Sequence, residues 1–156
     1  MKLRRVVTGH DKNGRAVVTI DELCQNKVSR RPGHESYVVW STGEFPSDVS
    51  GSADGGMRDI KGIDAEGTVF RVIEFSPGVA PRNHRTESID YACVLSGELD
   101  MEIDGTEVHL QAGDVLVQRA TIHNWINRGT EPCVIAFVLV AAKPVELAAG
   151  KLGAAG

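Results

Sequence analysis

Three side chains in this sequence have the right types to do chemistry together: His84, Asp90 and His123. Neutral imidazole and carboxylate are good ligands for divalent iron, manganese, nickel or zinc. Two histidines and one carboxylate on one side of a metal make a facial triad, which leaves positions open for substrate, water or oxygen. Without a metal, His84 or His123 can act as general acid or base, tuned by Asp90. A structural role is open as well. His84 and Asp90 can form a buried hydrogen-bonded pair, with His123 satisfied by another interior residue. The chemical readings all require that the three side chains meet, so the elements that carry them decide the matter.

Side chains alternate faces along a strand. Residues 78–97 read as a strand-like run, so His84, Thr86, Ser88 and Asp90 share one face, and Arg85, Glu87, Ile89 and Tyr91 the other. Within 113–127, His123, Trp125 and Asn127 share a face. Thr86, Trp125 and Asn127 are thus candidates for a substrate pocket, although Asn127 also suits the holding of a turn. Arg119 and Arg82 could each clamp a carboxylate at its mouth. Tyr91 has the opposite phase and belongs outside. Between the two runs lies a hairpin. Leu99, Met101 and Ile103 alternate with charged residues, Asp104 and Gly105 turn the chain, and Val108 and Leu110 alternate with Glu107 and His109. Asp-Gly suits a two-residue turn, whose central residues need positive φ. One face of the hairpin is apolar and the other charged, as in a sheet wetted on one side.

Residues 77–127 resemble the two motifs of the cupin superfamily with their intermotif hairpin. The first motif reads glycine, five residues, His-x-His, three or four residues, Glu, six residues, glycine. Gly78, His84, Asp90 and Gly97 match it, with Thr86 in place of the second histidine and Asp90 in place of the glutamate. The second motif reads glycine, five residues, Pro-x-Gly, two residues, His, three residues, Asn. Gly113, His123 and Asn127 match it, with a loop one residue short and with Arg119 and Thr121 where proline and glycine are usual. The resemblance implies an all-β fold, a double-stranded β-helix (jelly-roll) cupin barrel with an N-terminal strand extension. It also implies a site inside the barrel mouth and, frequently, a homodimer. Thr86 is no imidazole, so a four-ligand site of the usual kind is lost, and Asp90 is one methylene shorter than the glutamate.

The rest of the chain is expected to cover and close this barrel. Residues 1–66 supply strands and a loop, 67–142 the barrel core, and 143–156 a tail, all in one domain. Residues 3–8 and 15–20 read as a hairpin, 38–40 as a short strand and 67–75 as a good strand. Residues 46–58, rich in Ser, Gly and Asp, read as a loop without fixed packing, either mobile in solvent or a flap over the barrel mouth. Residues 132–142 are apolar at every position, which predicts burial on both faces, under a second sheet or a second copy. Residues 144–156 read as a short helical turn that frays. Gly78, Gly97 and Gly113 read as turn residues, and His10, His34 and His109 take no role.

A chain of 156 residues fits one domain. Apolar content of 42% and charged content of 24% are ordinary for a globular protein. A net charge of −4 with scattered Arg and Lys predicts no nucleic-acid partner. No apolar run reaches the length of a membrane span, and the first residues lack the apolar core of a signal peptide, so the expected compartment is cytoplasmic. The 3 cysteines are far apart and odd in number, against a disulfide framework. The function expected is a metal-dependent enzyme, an oxygenase or lyase, acting on a small organic molecule with His84, Asp90 and His123. The alternatives are a metal-free lyase, isomerase or dehydratase with a histidine acid–base, and a non-catalytic small-molecule binding module.

Overall fold

The computed structural model describes residues 1–60 and 66–156. Strands dominate it. The chain opens with β1 (Arg4–His10) and β2 (Ala16–Leu23), an antiparallel hairpin longer than the sequence pattern predicts. The Asp11 carboxylate closes its turn by accepting the N–H groups of Asn13 and Arg15. Next come β3 (Lys27–Arg31) and β4 (His34–Ser41), then β5 (Thr68–Phe75) and β6 (Ser88–Ser96). The intermotif hairpin is β7 (Glu98–Ile103) and β8 (Thr106–Gln111), with Asp104 and Gly105 both at positive φ in its turn. β9 (Val115–Arg119), β10 (Asn124–Ile126) and β11 (Cys133–Ala141) follow, and the chain ends with β12 (Val145–Leu147) and β13 (Gly150–Leu152).

Six strands make the larger sheet, in the order β3-β4-β5-β11-β6-β9, and three make the smaller one, β10-β7-β8. Every pairing is antiparallel. The two sheets face each other over one core. Phe75 and Ile135 from the larger sheet meet Leu99 and Met101 from the smaller, all fully buried. Full burial of one such side chain stabilises by about 1.5–3 kcal/mol. This is the double-stranded β-helix, or jelly-roll, that the motifs imply.

Several expectations need correction. Regular pairing in the first motif begins only at Ser88, so His84 lies before β6 and not within a strand. Val108, expected on the buried face, is exposed, because β8 is the edge of its sheet and only Leu110 reaches the core from it. Within this one chain β11 is fully buried on its core face only. Cys133, Ile135, Phe137 and Leu139 point into the core, while the alternate residues are half-buried. Across the sheet on that outer side, Phe70, Val138, Tyr91 and Val117 stand in register as one apolar row. The tail forms the β12–β13 hairpin rather than a helical turn, and Ala155 then bridges to Arg85. The 46–58 loop is only partly loose. Its end holds a single 3-10 turn, Gly55–Met57, capped by the Asp54 carboxylate. The buried Arg5 guanidinium ties Asp54 to Glu22 and to the Val39 carbonyl.

No helix among the described residues is long and apolar enough to cross a membrane.

Candidate active site

Inward side chains of the larger sheet and of β10 enclose a cavity of about 120 Å³. Its apolar wall comes from Val38, Ile73, Phe75, Trp125, Phe137 and Leu139. His84, Thr86, Asp90 and His123 all line it. The strand phase read from the sequence thus delivers these side chains to one interior, although the chain around His84 is irregular.

His84 and His123 face each other in an isolated antiparallel bridge. Each backbone N–H donates to the other's carbonyl at 3.0 Å, and the ring centroids are 4.3 Å apart. The Nδ1 of His84 lies 3.2 Å from the Arg82 carbonyl, and that of His123 lies 3.0 Å from the Thr121 carbonyl. A carbonyl only accepts, so the proton of each neutral ring sits on Nδ1 and Nε2 keeps a lone pair. Burial holds both rings below the ordinary imidazole range, His84 in direction and His123 down to about 4, with the neighbouring His84 adding to the effect on His123. Both are therefore neutral near pH 7, and each offers a basic nitrogen.

Asp90 is buried and ends a short hydrogen-bonded chain. The Thr86 and Ser88 hydroxyls are 2.8 Å apart, and Ser88 donates to Asp90 Oδ1 at 2.5 Å. Burial raises the Asp90 pKa, against the pull of the Ser88 hydroxyl and the Arg71 charge. Two neutral imidazoles with free Nε2 atoms suit a divalent metal. The third donor does not complete the set: Asp90 is engaged with Ser88, Thr86 stands where an imidazole would, and no three His, Cys, Asp or Glu side chains among the described residues converge as a metal group.

Two candidate pocket residues lie elsewhere. Arg119 ends β9 on the outward face, opposite Ile89, because alternation turns its neighbour Gln118 inward. Asn127 is buried but serves the backbone. Its amide donates to the Phe75 and Glu131 carbonyls, each at 2.9 Å, and its oxygen accepts the Gly129 N–H. Trp125 and Thr86 line the cavity as expected, and so does Arg82. The sequence reading missed Arg30, Arg31, His34, Ser36, Arg71 and Gln118, all of which line it too. Arg71 left a signal. It shares the phase of Val69, Ile73 and Phe75, so a guanidinium in the apolar register of β5 had to point inward. β3 left none, since a strand reading Lys-Val-Ser-Arg-Arg carries no apolar alternation.

Residues 71–141 match the family model described as "Cupin domain". Over 146 residues the chain is 36% identical to the cupin-domain-containing oxidoreductase fogC of Aspergillus ruber, covering 87% of this chain and 71% of that one. This chain is a cupin. Over 153 residues the cupin is also 32% identical to the cupin-domain-containing oxidoreductase virC of Hypocrea virens, covering 92% of this chain and 78% of that one. Among solved structures it is similar to the Cnp3 cupin domain of Schizosaccharomyces pombe, with a TM-score of 0.55 at 13% identity over 90% of this chain and 89% of that one. At that identity the likeness is one of fold.

Proposed function

We propose that this cupin is an enzyme of the oxidoreductase type that takes a small organic molecule into its barrel and moves protons on it with His84 and His123. The observation that carries the reading is the bridged histidine pair, with both rings neutral, both Nδ1 protons held by carbonyls and both Nε2 lone pairs free. The relatives fogC and virC are named oxidoreductases, and the redox change proposed for this chain is internal to one substrate. Two neutral bases side by side suit proton relocation in a hydroxycarbonyl substrate. One Nε2 takes the proton from the carbon bearing the hydroxyl and returns it to the former carbonyl carbon, while the other Nε2 carries the hydroxyl O–H proton to the former carbonyl oxygen. One carbon is oxidised and its neighbour reduced, so the redox change stays inside the substrate. Asp90 lines the same cavity, and burial raises its pKa.

A second reading has its own support. An Nδ1–H held by a backbone carbonyl is the arrangement that orients metal-binding imidazoles, and His84 and His123 both have it. In that reading a divalent metal bound at the two Nε2 atoms, with Asp90 released from Ser88, would polarise a substrate oxygen.

The test is a mass-spectrometric turnover screen of small hydroxycarbonyl compounds, with elemental analysis of protein purified without chelator. The wild type is expected to turn over a substrate with chelator present, and His84→Gln and His123→Gln to lose about a hundredfold or more. Turnover unchanged in both variants overturns the reading. Turnover abolished by chelator in a protein carrying one metal per chain transfers it to the metal-bound form.

A further inference from the structure

Gln118 does no hydrogen bonding for the fold. It is 4% exposed and lines the cavity, and neither its Nε2 nor its Oε1 has a hydrogen-bond partner among the described residues. An acceptor is close at hand. Asp90 stands directly opposite it in the β6–β9 ladder, on the same inward face, where paired side chains have Cβ atoms about 5 Å apart. Asp90 accepts from Ser88 instead. Buried polar groups are nearly always paired, and leaving one unpaired costs stability. An amide that is buried, unpaired and set in the wall of a cavity marks a group that a ligand satisfies.

The ladder also fixes what lies beside that amide. The row runs from Gln118 to Asp90 and on to Leu139 of β11, and Phe137 is the next inward residue of the same strand. Strands are spaced by about 4.8 Å, so Leu139 stands about 10 Å along the row from Gln118. Phe137 meets Trp125 with ring centroids 5.6 Å apart, and Trp125 meets His123 at 5.6 Å. One continuous wall thus leads from Gln118 to the histidine pair. The side-chain amide offers a donor and an acceptor in one plane. Its complement is a group with an acceptor and a donor side by side on one planar edge, which describes a cis amide. A polyol could make the same two bonds but needs polar partners on its other sides, and Leu139 and Phe137 supply none. The cavity's size of about 120 Å³ is close to that of an engineered cavity of about 150 Å³ that holds benzene.

We propose that the barrel binds a small cyclic amide, whose N–H donates to Gln118 Oε1, whose carbonyl accepts from Gln118 Nε2 and whose ring lies against Leu139 and Phe137. The inference rests on the reading of this cavity as the active site, and it adds an amide edge to the small organic molecule that the histidine pair works on. Two hydrogen bonds along one rigid edge fix the orientation of the ring. A ligand that can make only one of them leaves half of the buried amide unpaired, and that penalty is the source of selectivity.

The test is titration of the full chain with 2-pyrrolidinone and with its isosteres γ-butyrolactone and cyclopentanone, which keep the carbonyl but lack the N–H. 2-Pyrrolidinone is expected to bind at least tenfold more tightly than either. Gln118→Met keeps the length of the side chain and removes both amide groups. It should weaken 2-pyrrolidinone at least tenfold and bring it level with cyclopentanone. It should also raise the melting temperature by about 2 °C or more, because the folded chain loses an unpaired buried amide. A structural role for Gln118 predicts the reverse, a lower melting temperature with the order of ligands intact, and that result overturns the proposal. Equal affinities of the three ligands for the wild type overturn it too, as does failure of 2-pyrrolidinone to bind at millimolar concentration, and these comparisons need no variant. Tighter binding of cis-1,2-cyclopentanediol would give the Gln118 amide to a diol and overturn the amide assignment. His84→Gln and His123→Gln separate this from the catalytic reading. If 2-pyrrolidinone still requires Gln118 while both histidine variants keep full turnover, the amide site stands and the catalytic reading falls. If the histidine variants lose turnover while the wild type shows no preference for 2-pyrrolidinone, the catalytic reading stands and the amide site falls.

Discussion

His84 and His123 are joined twice, by a pair of 3.0 Å backbone hydrogen bonds and by rings whose centroids lie 4.3 Å apart. The backbone bridge sets the rings' spacing, because it ties the irregular segment before β6 to the residue that leads into β10. Separating the two backbones would break both main-chain hydrogen bonds.

The buried imidazoles predict the direction of acid sensitivity. His34 and His123 ordinarily titrate near 6.5 and are pushed down to about 4, mainly by burial, and His84 is lowered too. Between about pH 6.5 and 4 the unfolded chain binds protons that the folded chain refuses, so stability falls as pH drops through that window and levels off below it. Asp90, raised by burial, works the other way, as does the exposed His109 beside Asp100, whose effect is screened by solvent. The three lowered histidines outweigh them. The melting temperature is expected to fall steadily from pH 7 to 4.5, and His34→Gln should flatten the slope. A melting temperature that rises on acidification would contradict this assignment.

Asn127 is predicted to be structural. It makes three hydrogen bonds to backbone groups, and its loss leaves the Phe75 carbonyl without its side-chain donor in the core. At roughly 1 kcal/mol per bond, Asn127→Ala should cost about 3 kcal/mol. Urea denaturation measures the loss. Turnover by the folded fraction should be unchanged, and a large loss of it would return Asn127 to the pocket.

Thr86 is the place to complete a metal set. It lines the cavity with His84 and His123, and its hydroxyl lies 2.8 Å from that of Ser88. Thr86→His adds a third imidazole and frees Ser88 from Thr86. Cobalt(II), followed by its visible absorption, should bind this variant at least tenfold more tightly than the wild type. Equal affinities would show that position 86 does not share a metal's reach with the two histidines.

The parts of the fold legible in the sequence were those where alternation was strong and uninterrupted. Leu99, Met101 and Ile103 against charged neighbours, with Asp104-Gly105 between, described β7, β8 and their turn. The histidines and Asp90 were legible through phase, even though pairing is regular only from Ser88 onward. The cationic half of the cavity was hidden for a physical reason. Arg30, Arg31 and His34 line the cavity from strands where polar residues are mixed with the apolar Val28 and Val38, so hydrophobic periodicity does not register them. Arg119 was taken for the pocket mouth, but it stands one residue out of phase with Gln118, the side chain of β9 that turns inward.

That single-residue offset carries a consequence for how such a barrel could change its diet. β9 is an edge strand, paired with β6 alone. Its inward Gln118 and outward Arg119 differ only in which side of the pleat they occupy. A one-residue deletion before β9 would slip the register, turn Arg119 inward and turn Gln118 out, exchanging a neutral amide for a further guanidinium in one step. Slippage costs least at an edge, where one ladder of hydrogen bonds must reform instead of two. Ligand preference in this scaffold is therefore open to length variation in the neighbouring loop, a route that point substitutions within the cavity do not exploit.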